Sequence, residues 1–135
     1  MPFIRTAVRR DSSPERTRAI VHGIHDALVA AIAMPAAELF NQVHRYDPAD
    51  FFYDRRFNGI ARSDDLVVVE ITMRRGRSDA MKRDLYARIA ANLEAAAGVN
   101  PRDVFIFTHE NDYSDWSVGL GRFAMTLVQQ PGEDG

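Results

Sequence analysis

The sequence predicts an α+β fold: two β-α-β units that together form a four-stranded sheet with both helices on one face. Three observations predict it. Short apolar runs rich in β-branched residues alternate with longer segments whose apolar residues recur at helical spacing. The order strand, helix, strand occurs twice. The exits from the two helical segments also echo each other. Pro35-Ala36-Ala37-Glu38-Leu39-Phe40 and Pro101-Arg102-Asp103-Val104-Phe105 each place a proline, then an acid, then an apolar pair entering a strand. A chain of 135 residues is one domain, 1–135, by length.

The elements follow in order. Residues 2–8 are short, partly β-branched and followed by charge, and predict the first strand. Ser12-Ser13-Pro14-Glu15 is a helix start, with a serine to cap, a proline in the first turn and an acid that favours the helix dipole. Ile20, Ile24, Ala27, Leu28 and Ala31 form its apolar stripe, and Pro35 closes it. Residues 39–46 predict a second strand. Residues 47–64 are polar and aromatic, with Pro48, Asn58 and Gly59, and predict a loop carrying a small hairpin around Phe51-Phe52-Tyr53. Residues 66–73 are almost continuously apolar, which predicts a central strand covered on both faces. Arg74-Arg75-Gly76-Arg77 is a tight basic turn. Ser78 then caps a second helix with the stripe Met81, Leu85, Ile89 and Leu93, and Gly98 stops it. Residues 104–108 predict the fourth strand. The tail holds Asp115-Trp116-Ser117, apolar positions at Phe123, Met125 and Leu127, and a frayed end at Pro131-Gly132. With both helices on one side, the other sheet face is expected to be apolar and to need a partner.

Composition narrows the function. Hydrophobic residues are 46% and charged residues 27%, as in globular proteins. Seventeen basic against nineteen acidic side chains leave a formal charge of −2, which disfavours nucleic-acid binding. There are no cysteines, hence no disulfides and no thiolate metal sites. The early charge at Arg5 and the lack of a long apolar run predict a cytoplasmic protein that neither enters nor spans a membrane. Every basic residue except Lys82 is arginine, so planar forks for carboxylates are plentiful.

Two features carry possible chemistry. Pro2 follows the initiator methionine, and a small second residue permits removal of Met1. The freed nitrogen would be a secondary amine. An α-amino group ordinarily titrates near about 8, so it can serve as base or acid near neutrality. With Met1 retained it is an amide with no basicity, and a proline there is also compatible with an inert terminus. The turn Arg74-Arg75-Gly76-Arg77 leaves a central strand and precedes a helix, where anions are favoured. A solvated basic turn is the other reading. The remaining features point elsewhere. His22 and His25 share a helix face without a third ligand in view, so no metal site is predicted. His109-Glu110 reads as loop. Trp116 defaults to packing. Neither Ser117-Val118-Gly119 nor Gly119-Leu120-Gly121 has the strand and helix context of a catalytic elbow or phosphate loop.

Taken together these residues resemble the tautomerase superfamily, in particular its malonate semialdehyde decarboxylase group. The resemblance covers residues 2–122. It runs through Pro2-Phe3-Ile4-Arg5, His25-Asp26-Ala27-Leu28, Phe40-Asn41-Gln42-Val43, and Gly59-Ile60-Ala61-Arg62-Ser63-Asp64. It continues with Ile71-Thr72 to Gly76-Arg77-Ser78, Leu85-Tyr86-Ala87-Arg88-Ile89-Ala90, and Glu110 with Asp115-Trp116-Ser117. It implies Pro2 as acid/base and Arg74 as the first substrate-binding arginine. Arg77 looks like the second, one residue later than in the decarboxylase and at the spacing of the cis-3-chloroacrylic acid dehalogenase group. Glu38 stands where the decarboxylase has a catalytic aspartate. Trp116 and Val118 match its apolar pocket wall, and Arg75 and Phe107 are added as substrate-binding candidates. The dehalogenase group differs by a histidine at Leu28, a tyrosine at Phe107 and a glutamate near Gly119, so haloacrylate hydration is not expected. What the resemblance implies is a homotrimer without cofactor, acting on a small carboxylate by keto-enol tautomerisation or decarboxylation. The reading from a different class is a non-catalytic ferredoxin-like interaction domain.

Overall fold

The computed structural model describes residues 2–124. Strand β1 (Phe3–Arg9) leads into helix α1 (Pro14–Ile32) and strand β2 (Asn41–Tyr46). Strand β3 (Val67–Arg74), helix α2 (Asp79–Ala97) and strand β4 (Val104–Asn111) repeat the order. The sheet order is β2-β1-β3-β4. Within each unit the strands are parallel, as a helical crossover requires. The units meet through an antiparallel β1–β3 pair, with Phe3 opposite Thr72 and Ala7 opposite Val68.

Both helices start on the serine caps legible in the sequence. The Ser13 hydroxyl accepts from the Arg16 amide at 3.0 Å, and Ser78 accepts from Met81 at 3.2 Å. The helices pack on one face of the sheet. Ile20, Ile24, Leu28, Leu85, Ile89 and Leu93 interlock there with Ile4, Val8, Val69, Ile71 and Met73, all essentially removed from water. Met81, expected in the second stripe, is exposed, because that stripe reaches the sheet only from Leu85 onward.

The two units superimpose in sequence at an offset of 65 residues. Cap Ser13 corresponds to Ser78, and the left-handed C-caps Ala33 and Gly98 correspond. Register Ile4–Asn41 matches Val69–Ile106. The bond from Arg10 N to Tyr46 O (2.8 Å) matches that from Arg75 N to Asn111 O (2.7 Å). The ion pairs Arg10–Asp47 (3.2 Å) and Arg75–Asp112 (3.0 Å) also match, as do the 3-10 turns Pro48–Asp50 and Tyr113–Asp115. At this offset Glu38 falls on Asp103, although the prolines before them fall out of step by one.

Several expectations need correction. The small hairpin at Phe51-Phe52-Tyr53 is absent. The segment is instead a lead-out from the first 3-10 turn, followed by a second at Phe57–Gly59. It is held by edge-on aromatic contacts, Tyr46 on Phe51 at 4.9 Å and Phe51 on Tyr53 at 4.7 Å. Its far end is tied down by buried Asp103, which accepts from Ser63 N at 2.8 Å and Ser63 Oγ at 2.6 Å. Leu39 and Phe40 precede β2 rather than belong to it. His109 and Glu110 lie in β4, not in a loop, because β4 runs on to pair with the full length of β3. Strand β3 alternates between buried and half-buried residues and is covered on its helix face only. The open face is mixed rather than apolar: Phe105 and Phe107 stand beside Arg5, Glu70 and His109, with His109 Nε2 3.1 Å from Glu70 Oε2. Met125, Leu127, Pro131 and Gly132 lie outside the described residues. Among the described residues no helix is long and apolar enough to cross a membrane.

The aromatic segment carries a pH signature. The Tyr46 hydroxyl donates to Leu66 O, and burial, with neighbouring Tyr53 and Asp65, pushes its pKa up to about 12. Its proton is therefore held more tightly in the folded than in the unfolded chain, whose tyrosine titrates near about 10. Stability is expected to fall as pH rises from about 10 toward 12. Urea midpoints measured across that range should show the decline, and Tyr46→Phe should lessen it while costing about 1 kcal/mol at neutral pH.

Candidate active site

The antiparallel β1–β3 pairing determines where the predicted residues meet. Phe3 lies opposite Thr72, so Pro2 comes one step further on, at the end where β3 runs out into Arg74. Strand β4 ends at the same place, with Asn111 in register with Arg74. Three chain ends thus gather at one edge of the sheet.

Pro2 is buried and lines a cavity of about 230 Å³ with Phe3, Phe40, Trp116, Ser117 and Val118. The cavity is apolar apart from Ser117. Its walls come from the head of β1, the lead-in to β2 and the segment after β4. Phe40 is placed by its own carbonyl, which accepts from Ile4 N at 2.9 Å. Trp116 is held by three bonds. Its indole N–H donates to Asn111 Oδ1 at 2.7 Å, its amide to Tyr113 O at 3.2 Å, and its carbonyl accepts from Ala124 N at 3.0 Å.

The arginines lie just beyond. Arg74 and Arg75 line an adjoining crevice with Asp112, Tyr113, Ser114 and Phe123. The Arg74 guanidinium stacks on the Tyr113 ring, 4.6 Å from its centroid. Its Nε is buried, with no hydrogen-bond partner among the described residues. Arg77 turns back and donates from Nη1 to the Arg74 carbonyl at 2.7 Å. Burial, and then the neighbouring Arg74, hold its guanidinium below the usual arginine range. Arg75 is exposed and engaged with Asp112. Lys82 bonds Glu110 at 2.7 Å across the base of the turn, raising the pKa of the lysine and lowering that of the glutamate.

The structure thus brings Pro2, Trp116 and Val118 into one cavity and sets Arg74, Arg75 and Arg77 beside it. Glu38 is half-buried in the turn after α1, with its amide donating to Pro35 O at 3.0 Å, two residues before the cavity residue Phe40. Phe107 is apart from this cavity. It lies midway along the edge strand β4, opposite Glu70, and faces the open side with Arg5, Ala7 and His44. Sequence reasoning missed Phe3 and Phe40 as walls, Tyr113 beneath Arg74, and Asn111. Each acts through a partner distant in the chain or across a turn, and local pattern carries no sign of that. His25, considered as a ligand, is spent on a bond between its Nε2 and Ala36 O at 2.7 Å.

A family model described as "Tautomerase enzyme" matches residues 38–119, more than half of the chain. A probable tautomerase of Bacillus subtilis, YusQ, is 31% identical over 125 residues, which cover 93% of this chain and 98% of the relative. Among solved structures, the FG41 malonate semialdehyde decarboxylase inhibited by 3-bromopropiolate superimposes with a TM-score of 0.86. It is 35% identical, over 95% of this chain and 96% of the other. A fused 4-OT described as a symmetric trimer shares the fold with a TM-score of 0.76 at 21% identity, over 93% and 98% of the two chains. The chain belongs to the tautomerase family, within the superfamily whose malonate semialdehyde decarboxylases it resembles.

Proposed function

We propose that this chain is an enzyme acting on a small oxo acid, with the secondary amine of Pro2, freed by removal of Met1, as its acid/base group. The observation that carries the reading is the placement of Pro2. It is buried in an apolar cavity at the one sheet edge where Arg74 and Arg77 also stand. Those arginines would hold the substrate carboxylate. Two cations packed together, one with a buried N–H left over, are a poor arrangement in isolation and a good one around an anion. Glu38 would orient or bias the proline nitrogen. It stands in the turn after α1, two residues before Phe40, whose ring lines the cavity that holds Pro2. Trp116 and Val118 would exclude water, Arg75 would contribute charge, and no cofactor or metal is called for.

The apolar walls disfavour the ammonium form, so Pro2 is assigned as a neutral base and the reaction as keto-enol tautomerisation. The amine takes the enol hydroxyl proton, the carbonyl forms, and the same nitrogen returns a proton to the neighbouring carbon. Decarboxylation is a second reading, favoured by the 35% identity to a malonate semialdehyde decarboxylase. There a prolinium N–H would stabilise the enolate oxygen as the bond to the carboxylate breaks, carbon dioxide leaves and the carbon takes up a proton. A homotrimer is proposed on the half-uncovered sheet face bearing Phe105 and Phe107, and on the trimer named for the similarly folded fused 4-OT.

Four measurements test this reading. Intact mass should show Met1 absent from natively produced protein. Phenylenolpyruvate ketonisation and malonate semialdehyde decarboxylation, run side by side, should identify one activity that falls by about 10²–10⁴ in Pro2→Ala. Full retention of Met1, or activities untouched by that substitution, would refute the proline mechanism. Arg74→Ala or Arg77→Ala should weaken carboxylate binding by about 1.5–3 kcal/mol. Arg75→Ala should cost within about 0.5 kcal/mol, since its pair with Asp112 is exposed. Sedimentation at micromolar concentration should give the mass of three chains; a monomer would leave the open face without its proposed cover.

A further inference from the structure

We propose that Asn111 is a positioning residue that joins the two halves of the site, setting the Trp116 wall of the Pro2 cavity in register with the arginine turn. The inference rests on the site reading above and deepens it. Asn111 is bonded on both sides. Its backbone carbonyl accepts from Arg75 N at 2.7 Å, and its Cα is in register with Arg74. Its side-chain oxygen accepts from the Trp116 indole N–H at 2.7 Å. The indole nitrogen is a donor only, so the amide must present its oxygen there.

The intervening turn brings Trp116 back to Asn111. Asp112 and Asp115 close a capping box, with Asp112 N donating to Asp115 Oδ2 at 2.9 Å. Backbone bonds locate the tryptophan main chain. The side-chain bond to Asn111 is what sets the rotation of the ring, and the ring is a wall of the cavity that holds Pro2. Asn111 itself lines the crevice on the open side of that wall, with Phe3, Thr72 and Trp116.

The other unit supplies an internal control. At the offset of 65, Asn111 and Trp116 correspond to Tyr46 and Phe51. Those residues meet by an edge-on ring contact at 4.9 Å, and the Tyr46 hydroxyl goes to Leu66 O instead. The backbone bond, ion pair and 3-10 turn are the same in both units. What differs, at the end that holds Pro2, is that a hydrogen bond of fixed direction replaces an edge-on ring contact. A purely structural strap would have no need of that exchange.

The test uses the only tryptophan of the chain as reporter. Asn111→Leu, close in shape but without the acceptor, should shift Trp116 emission and its quenching by acrylamide in the folded protein, with the unfolding midpoint falling no further than the loss of one hydrogen bond accounts for. Asn111→Asp, which keeps an acceptor oxygen, should leave emission as in the parent. If leucine prevents folding, Asn111→Ala removes the same acceptor without its bulk and is read in the same way. On the Pro2-dependent activity, Asn111→Leu should lower kcat/KM about fivefold to tenfold, the scale of one hydrogen bond. In a Trp116→Phe background, where the N–H is gone, it should cost no further factor beyond about two. Unchanged emission, or losses that multiply in the double variant, would overturn the proposal. Emission is read without substrate, so failure of the Pro2 reading is seen separately, as activity indifferent to Pro2→Ala.

Discussion

The antiparallel junction between β1 and β3 is the constraint on which the rest of the structure depends. Each β-α-β unit alone sends its strands in one direction and leaves its turns at the far end. Joining two units antiparallel brings the head of β1 beside the tail of β3, and the tail of β4 comes with it. A parallel junction would have put Pro2 and Arg74 a strand's length apart, roughly 25 Å for eight residues. The buried rows that specify this junction are largely apolar: Ile4 faces Ile71, and Val69 faces the buried Thr6, whose hydroxyl is bonded to Asn41. A slip of one residue would turn Ile4 to the open face and carry Pro2 out of its cavity. Core packing and site assembly are therefore one problem in this chain.

Duplication supplied two copies of each part, and the copies have diverged in charge. The turn after β1 reads Arg9-Arg10-Asp11-Ser12 and the turn after β3 reads Arg74-Arg75-Gly76-Arg77. In the first, Arg9 is neutralised within the turn by Asp11 at 3.1 Å. In the second, glycine replaces that acid, and the position of Ser12 holds a third arginine. Gly76 also takes a positive φ of 124°, which lets the chain double back so that Arg77 meets the Arg74 carbonyl. The cavities diverge as well. One of about 320 Å³, lined by Phe51, Tyr53, Val68 and Phe105, is the counterpart of that lined by Trp116, Val118, Phe3 and Phe40. At the same offset Val67 stands at the place of Pro2, inside the chain and with an ordinary amide nitrogen, and it does not line that cavity. The fold thus presents two similar hollows, of which one has an imino acid at its edge and, at the same end of the sheet, a turn where Arg75 pairs with Asp112 while Arg74 and Arg77 form no ion pair among the described residues.

How much of this the sequence discloses follows from the range of each interaction. The helices were legible because caps, stripes and stops are local, as at Ser13, Ser78 and Gly98. So was the arginine turn, because three arginines in four residues are unusual anywhere. The duplication was legible only in outline. Prolines suggested the alignment, but Pro35 and Pro101 are one residue out of step, and the true correspondence of Glu38 with Asp103 lies in the backbone. The aromatic segment was misread as a hairpin because its order comes from ring contacts and from Asp103, forty residues away. Resemblance places Phe107 at the site, whereas strand parity and register put it midway along the edge strand β4, opposite Glu70 and on the open face. Tyr113 and Asn111 were invisible because one acts through the face of a ring and the other through an indole N–H.

The charges at the site have a further consequence. Arg77 is held below the usual arginine range by burial and by Arg74, and the buried Nε of Arg74 lacks a partner among the described residues. Desolvation and like-charge repulsion both weigh against the empty arrangement, and an anion offsets both. On the proposed reading, the same anion acts on Pro2. In the free protein, nearby guanidinium groups and apolar walls favour the neutral amine, the form that accepts a proton. Once a substrate carboxylate neutralises the arginines, the cationic form of the amine becomes less costly, so the nitrogen is more basic when a proton must be taken. Substrate binding and proton transfer are then coupled through Arg74 and Arg77. On the same reading, a carboxylate brought near the amine, the role proposed for Glu38, would strengthen that coupling without needing to touch the substrate.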